Sequence, residues 1–419
     1  MEGMRKEIDL IDCEMAELFE KRMRLSDKIA EYKRINRLPV CDEEREREML
    51  ERNAENVSDD VRGLYLDFLK ETLALSKRRQ NEKNTAENEM YISSQSGGYP
   101  VIFGRLGDEH SGIDLNRKCL IVTDTNIPDA YTERLVSLCR MPFVIKIEAG
   151  EKSKNEETLF MLLRAMLENN FDRTDCVIAL GGGVSGDISA AASSLYMRGI
   201  DFYNIPTSLL AMVDSSVGGK TAVDFCGVKN AVGTFYSPKA VLIDVSLLKT
   251  LPEREFNNGM AEVIKTAALF DEEMFSFLEK SSAEEVKNRI ADVISACIGH
   301  KKRIVEADEK EKGLRRVLNF GHTLGHAVES CDFALLHGEC ISLGMLLCSE
   351  NGAHDRLLAL LNKYSLVRET CADKNEIIKK LLHDKKTEAD EINLVKVRSI
   401  GSFRFEKIPV SDFAREILK

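Results

Sequence analysis

Asp175-Cys-Val-Ile-Ala-Leu-Gly181-Gly182-Gly183-Val-Ser-Gly186-Asp187-Ile-Ser-Ala-Ala-Ala-Ser-Ser194 decides the fold. Its first residues are an apolar run bounded by a turn, as a buried strand requires. The three glycines allow a sharp reversal, and the small residues after them suit a helix packed closely on a sheet. Gly181, Gly183 and Gly186 meet the Gly-x-Gly-x-x-Gly spacing. In that spacing backbone N–H groups and a helix N-terminus approach an anion. A standard dinucleotide-binding unit places this turn after its first strand, with an acid about 20 residues later. Here Lys118–Thr123 is an earlier strand, ending at Asp124, and no acid closes a clear second strand downstream. A strand-to-helix turn without a ligand fits this stretch as well.

Outward from it, strand and helix patterns alternate, which implies a parallel sheet with helices on its faces. A second glycine cluster, Asp214-Ser-Ser-Val-Gly-Gly-Lys220-Thr221, lacks the first glycine of an ATPase loop, so that reading fails. It can still place an ammonium beside a phosphate or carboxylate. From Pro252 onward strands become scarce and helical periodicity dominates. Upstream, Asn81–Gly98 is polar and reads as a linker.

The first 85 or so residues differ from the rest. Ile8, Ile11, Met15, Leu18, Arg22, Leu25, Ile29 and Tyr32 follow alternating steps of three and four, a heptad seam. A helix from Met4 to Asn36 would be about 50 Å long, too long for this domain unless a second chain packs along it. Pro39 ends it, Asp42 can cap a second helix, and Ser58 or Asp59 a third that runs to about Gln80. The expected organisation is an all-α three-helix domain (1–85), a linker (86–98), an α/β domain (99–251) and an α-helical domain (252–419).

The 419 residues carry a net charge of −11, which argues against a nucleic-acid partner. No apolar run is long enough to span a membrane, and none at the start forms a signal peptide. The 11 cysteines include no Cys-x-x-Cys pair, so free thiols and a cytoplasmic setting are expected.

Three of the seven histidines, His322, His326 and His337, fall between Asn319 and Glu339. Imidazole ligates metals and transfers protons near neutral pH. With Glu262 from a helical segment, His322 and His337 would make a two-nitrogen, one-oxygen site suited to zinc with open positions. Histidines buried in a core and bonded to backbone are the bland alternative.

Longer motifs go further: Gly150-Glu-Lys-Ser-Lys154, Gly181-Gly-Gly-Val-x-Gly-Asp187, Tyr196-Met-Arg-Gly-Ile200, the run Ile205–Val223, Gly259-Met-Ala-Glu-Val-Ile-Lys265, Leu318-Asn-Phe-Gly-His-Thr-Leu-Gly-His326 and Leu336-His-Gly-Glu339. Together they closely resemble 3-dehydroquinate synthase over about residues 90–419. The resemblance implies conversion of 3-deoxy-D-arabino-heptulosonate 7-phosphate to 3-dehydroquinate and phosphate, with catalytic NAD and a divalent metal, Zn2+ or Co2+. It implies oxidation at C5, β-elimination of phosphate, return of the hydride and an aldol ring closure. By resemblance, Asp124, Glu151, Lys154, Gly182, Gly183, Asp187, Thr207, Ser208, Asp214, Lys229 and Thr250 line the NAD site. Glu262, His322 and His337 are the metal ligands. Lys220, Lys265, Lys301, Arg315, Asn319 and His326 face the substrate, with one of Lys385 and Lys386. Arg198 reaches the substrate phosphate across a dimer interface. The sequence departs from the family's pattern at Ser185 and Ser189–Ser194, where hydrophobic residues are usual, at Ser208, commonly threonine, and in a slightly short gap between His326 and His337.

Arg22 occupies a seam position that the heptad assigns to apolar side chains, and a buried guanidinium needs partners. With Arg5, Lys33 and Arg45 it suits a dicarboxylate, because arginine grips carboxylates bidentately. A polar break that sets helix register is the structural alternative. The segment resembles the all-helical class of chorismate mutase over about residues 4–82, carried by Arg5, Arg22, Lys33, Asp42, Arg45, Glu46, Ser76, Gln80 and the string Pro39-Val-Cys-Asp-Glu-Glu-Arg-Glu. That resemblance implies rearrangement of chorismate to prephenate with no cofactor. Lys33 and Gln80 would flank the ether oxygen, Arg22 and the partner chain's Arg5 would hold the carboxylates, and Glu46 would bind the hydroxyl. The expected whole is a homodimeric bifunctional enzyme acting on small molecules. A ligand-sensing N-terminal domain, a related sugar-phosphate cyclase and a metal-dependent polyol dehydrogenase remain as alternatives.

Overall fold

The computed structural model describes residues 1–35, 43–83, 89–94, 98–107, 112–226, 228–384 and 391–418. It divides into two compact units, Met1–Tyr91 and Ile92–Lys419. Among the described residues no helix is long and apolar enough to cross a membrane, and every cysteine is a free thiol.

The first unit is three helices: α1 (Glu2–Ile35), α2 (Glu43–Ala54) and α3 (Arg62–Lys83). The heptad reading therefore gave a helix of the right length. Among the described residues nothing covers its apolar seam: Ile8, Ile11, Met15, Leu18, Leu25 and Ile29 are all exposed. Arg22 turns towards α3, where Nη1 donates to the Thr72 carbonyl at 3.3 Å and to Ser76 Oγ. Pro39 and Asp42 lie outside the described residues.

The second unit opens as an α/β sheet. Its strands are β1 (Glu89–Ile92), within which the division between units falls, β2 (Tyr99–Phe103), β3 (Lys118–Asp124), β4 (Met141–Ile147), β5 (Cys176–Gly181) and β6 (Asp201–Pro206). An antiparallel hairpin, β7 (Lys220–Phe225) with β8 (Val228–Phe235), stands apart, and β9 (Ala240–Ile243) returns to the sheet. The order is β1-β2-β9-β6-β5-β3-β4, and the pairings from β2 to β4 are parallel. Helices α4 (Asp129–Leu138), α5 (Glu156–Glu168) and α6 (Gly183–Leu195) connect strands β3 to β6. All of β5 is buried, as a central parallel strand covered on both faces must be. The stretch read as a linker thus contains a strand, because Met90, Tyr91 and Ile92 supply apolar residues to it and Ile92 is buried.

The chain leaves β3 towards β4 on one side, then returns to lay β5 on the other. That reversal creates a crevice at the C-terminal ends of β3 and β5, where open α/β sheets bind ligands.

The rest is mainly helical: α7 (Glu253–Phe270), α8 (Glu272–Lys280), α9 (Ala283–Asn288), α10 (Ile290–Ala307), α11 (His322–Glu329), α12 (His337–Leu347), α13 (Asn351–Lys363), α14 (Lys374–Asp384) and α15 (Val410–Leu418). It also holds an antiparallel pair, β10 (Glu391–Lys396) and β11 (Arg404–Pro409), which the helical reading did not foresee. Nearly every side chain of α7 from Phe256 to Leu269 is buried, so α7 is the axis of this part.

Helices α11 and α12 approach through glycine. A Cβ at Gly344 would lie 1.9 Å from the Gly321 carbonyl oxygen, and Gly321 itself has φ +80°. Gly344→Ala is expected to cost about 3 kcal/mol, as overpacking against rigid backbone does, read as a lowered urea midpoint.

Candidate active site

The glycine turn after β5 places Gly182 as the N-cap of α6 and Gly183 as its first residue. Thr207 N–H donates to Gly181 O at 2.9 Å, so the end of β6 is tied to this loop. Asp124, at the end of β3, accepts from Ser185 Oγ at 3.1 Å. An acid therefore does stand at the loop, but it comes from the preceding strand rather than from one downstream. Ser208 lines the same turn: a Cβ on Gly182 would meet its Oγ at 3.6 Å. Helix N-terminus, bare backbone and adjacent carboxylate are the features that suit a nucleotide's phosphate and ribose.

Lys154 is buried beside Asp187, Nζ to Oδ2 2.5 Å, and donates to Asn230 Oδ1 at 2.7 Å. Burial disfavours the Asp187 carboxylate and raises its pKa against the pull of Lys154. Lys229, on β8, reaches Glu151 at 4.0 Å and Glu329 at 3.1 Å. Thr250 is exposed and donates to Tyr131 OH at 3.2 Å. It is not drawn into this cluster by any contact among the described residues.

On the helical side, Glu262 is 1% exposed on α7. Its Oε1 lies 3.4 Å from His322 Nε2 and 3.5 Å from His337 Nε2. Among the described residues neither carboxylate oxygen has a hydrogen-bond partner; Lys265 Nζ stands 2.5 Å from Oε2 as an ion pair. His322 Nδ1 is 3.1 Å from the Phe320 carbonyl, which can only accept, so Nδ1 carries the proton and Nε2 offers its lone pair. The Glu329 carboxylate, 3.6 Å from His337 Nδ1, favours a proton on that nitrogen.

This donor set fits a divalent ion. Ligands held about 2.0–2.1 Å from a tetrahedral ion stand about 3.4 Å from one another; the two carboxylate–imidazole distances have that spacing, and all three ligand atoms lie within 4.8 Å of one another. Lys265 holds Oε2, while Oε1 faces the two imidazoles, so Oε1 is the buried oxygen left for a second cation. Burial and the Lys265 ammonium keep His322 well below the usual imidazole range. Burial opposes the charged form of His337 too, but the Glu262 and Glu329 carboxylates outweigh it and lift it to about 9.

Around these ligands the fold gathers cations. Lys265, 2% exposed, donates to Leu318 O at 2.8 Å. Lys301 bonds Asp214 Oδ1 at 2.7 Å. Burial disfavours the Asp214 carboxylate, but Lys301 and Lys265 together hold its pKa well below the usual range. Arg315, also 2% exposed, donates to Gly218 O at 3.1 Å and to Glu309 O at 2.5 Å. Gly218 has φ +110°, and a Cβ there would sit 2.3 Å from Arg315 Nη2, so only glycine admits the guanidinium. Lys220 pairs with Glu311, which also accepts from Asn319 Nδ2 at 2.9 Å. His326 sits on the exposed side, its ring centroid 5.1 Å from that of His322.

Lys265→Met is expected to destabilise the metal-free protein by ~3–5 kcal/mol, because it leaves the Glu262 carboxylate buried and unpaired. A bound divalent ion would replace the lost charge. Calorimetry should therefore record a larger zinc-induced rise in melting temperature for this variant than for the parent.

Glu311 and Glu329 are site residues that the sequence reading missed. Glu329 was legible in principle, three residues past His326 on one helical face. Glu311 sits in the charged run Glu306-Ala-Asp-Glu-Lys-Glu-Lys312, which reads as solvated surface. Arg198 is exposed on a left-handed turn (φ +68°) and makes no ion pair among the described residues. Lys385 and Lys386 lie outside the described residues.

In the first unit, Arg22 is held by α3 as described, and Glu46 Oε2 is 2.8 Å from Lys77 Nζ. Arg5 and Arg45 are exposed. The side chains of Lys33 and Gln80 lie outside the described residues. The described residues of one chain thus bring Arg22 and Ser76 together and leave Arg5 outside.

Comparison with known proteins follows this division. Family models for the 3-dehydroquinate synthase N-terminal and C-terminal domains match residues 144–258 and 259–387, and a chorismate mutase type II model matches residues 4–81. The 3-dehydroquinate synthase of Latilactobacillus sakei is 42% identical over 313 residues, covering 72% of this chain and 88% of the relative. That of Clostridium acetobutylicum is 41% identical over 344 residues, covering 78% and 96%. Among solved structures, a 2-epi-5-epi-valiolone synthase from Streptomyces hygroscopicus subsp. jinggangensis with NAD+ and Zn2+ bound superposes with TM-score 0.70 at 29% identity, covering 76% of this chain and 94% of that one. A 2-deoxy-scyllo-inosose synthase shares the fold with TM-score 0.72 at 24% identity, covering 78% and 99%.

Proposed function

This chain belongs to the 3-dehydroquinate synthase family, and we propose that it catalyses two reactions of aromatic biosynthesis: formation of 3-dehydroquinate from the heptulosonate phosphate, and rearrangement of chorismate to prephenate. The observation that carries the first is the convergence of Glu262, His322 and His337 beside the buried cations Lys265, Lys301 and Arg315. Glu262, His322 and His337 would hold the divalent ion. The glycine turn with Asp124, Lys154, Asp187 and Lys229 would hold NAD. When bound, these groups supply Lewis acidity at the substrate hydroxyls and a reversible hydride acceptor.

The protein's own side chains have the remaining work. The substrate carries a phosphate and a carboxylate, and buried lysines and an arginine bind such anions strongly where water is excluded. Asp214 fixes the Lys301 ammonium in place. Glu311 gathers Lys220 and Asn319 into one position before an anion arrives. His326, facing the open side, can hold a proton next to the substrate. Arg198, exposed and without an ion pair among the described residues, would reach a second subunit.

The mutase reading rests on Arg22 beside Ser76 and on a dimer. The uncovered seam of α1 would pair with its copy and bring the partner's Arg5 towards Arg22. Rearrangement then needs only a site that grips the reactive conformer and stabilises charge on the ether oxygen.

Both activities are tested on the full chain with NAD+ and zinc. The synthase reading expects phosphate release and 3-dehydroquinate with no net NADH. NADH in step with substrate would make the protein a polyol dehydrogenase. Phosphate release from another sugar phosphate only would make it a different cyclase. Chorismate consumed to prephenate supports the mutase, whereas saturable binding without turnover would mark a sensing domain.

A further inference from the structure

Glu329 belongs to neither the metal ligands nor the cofactor residues, yet it touches both. It lies on α11 seven residues after His322. Its Oε2 is 3.6 Å from Nδ1 of His337, and its Oε1 is 3.1 Å from Lys229 Nζ. Lys229 continues to Glu151, 4.0 Å away. One carboxylate therefore joins a metal ligand on α12 to a lysine on the β7–β8 hairpin.

We propose that Glu329 is a positioning residue that couples His337 to Lys229, so that the divalent ion and the nicotinamide cofactor tighten each other's binding. The inference rests on the reading that Glu262, His322 and His337 hold the ion and that Lys229 and Glu151 face the cofactor.

The physical case has three parts. A ligating imidazole is oriented by the partner of its other nitrogen, and loss of that partner typically weakens metal binding ~10–100-fold. His337 turns Nε2 towards Glu262 at 3.5 Å, so Glu329 at Nδ1 is that partner. Lys229 sits on a strand whose described side chains are largely exposed, so its own strand fixes it poorly and its acidic partners fix it instead. A cofactor docking against Lys229 and Glu151 orders the hairpin and holds the ammonium on Glu329. An ion docking on His337 holds the carboxylate from the other side. Whichever binds first has already ordered the shared link for the second, and such coupling is reciprocal.

The same carboxylate does not make a second metal site. His326, Glu329 and His337 do offer atoms close enough for a shared ion. Glu329, however, is engaged by Lys229, and His337 has one lone pair to give once Nδ1 is protonated.

The experiment measures Co2+ and Zn2+ affinity of the full chain by chelator competition, with and without saturating NAD+. The Co2+ absorption spectrum serves as a direct view of the ligands. NAD+ is expected to tighten metal binding about fivefold or more. Glu329→Gln, close in shape, is expected to weaken it ~10–100-fold, to alter the Co2+ spectrum, and to erase the NAD+ effect; Glu329→Asp should restore part of both. Wild-type affinity in Glu329→Gln, an undiminished NAD+ effect there, NAD+ weakening the metal, or a second ion lost with Glu329 would each overturn the coupling. An unchanged Co2+ spectrum in His322→Ala would instead overturn the ligand assignment beneath it.

Discussion

Replacing Glu262 by alanine is expected to strip the divalent ion from the protein and cut phosphate release from the heptulosonate phosphate by ~10³-fold or more. Chorismate turnover should stay within about twofold. A metal Lewis acid supplies several kcal/mol of transition-state stabilisation, and ~4 kcal/mol corresponds to about three decades of rate. Glu262 is the anionic member of the proposed ligand set. It stands between His322, His337 and the buried Lys265 ammonium, so its loss leaves three nitrogen groups facing one another without the carboxylate that separates them. Stability would fall as well, which is why Glu262→Gln belongs beside it. The amide keeps the shape and removes the charge. Elemental analysis after dialysis, together with phosphate release, decides the matter. A glutamine variant that keeps stoichiometric zinc and wild-type turnover would place the ion elsewhere.

What could be read from the chain depended on how local each signal was. The turn at Gly181–Gly183 was legible because strand, glycines and small-residue helix lie within twenty residues, and the structure builds them as a strand and helix on a parallel sheet. The density of histidines pointed to His322 and His337. Glu262 stands on another helix, and no spacing in the sequence ties it to them. Glu311 and Glu329 were lost because a charged helix end and a charged loop look the same whether they face water or a ligand. Only the fold brings Lys220 to the first and Lys229 to the second. The strand pair β10 and β11 alternates Ile392, Leu394 and Arg404, Glu406, Ile408 in register, a period-two signal too short to stand out among helices. Arg198 marks another limit: an exposed cation on a left-handed turn has no meaning inside a single chain.

The seam of α1 sets the second large effect. Ile11→Glu combined with Leu18→Glu is expected to abolish chorismate rearrangement, by ~100-fold or more, and to leave phosphate release from the heptulosonate phosphate within about twofold. Leu18 is 64% exposed and Ile8 57% exposed in the single chain, with Ile11, Met15, Leu25 and Ile29 beside them on the same stripe. Fully burying one such side chain contributes roughly 1.5–3 kcal/mol. A pair of seams half-covered at the outset would then gain on the order of 10 kcal/mol. Association costs about 4–15 kcal/mol before any surplus appears. A margin that thin cannot carry two carboxylates per chain, since each unpaired charge buried between helices costs several kcal/mol. Without the pairing, Arg22 keeps its contacts to Thr72 and Ser76 on α3 but no second chain delivers Arg5, and the dicarboxylate loses one of its two guanidinium anchors. Amide exchange along α1 should rise in the same variant and identify the seam as the part that came undone. Wild-type chorismate turnover in the doubly charged chain would mean that every cation the rearrangement needs comes from one protomer.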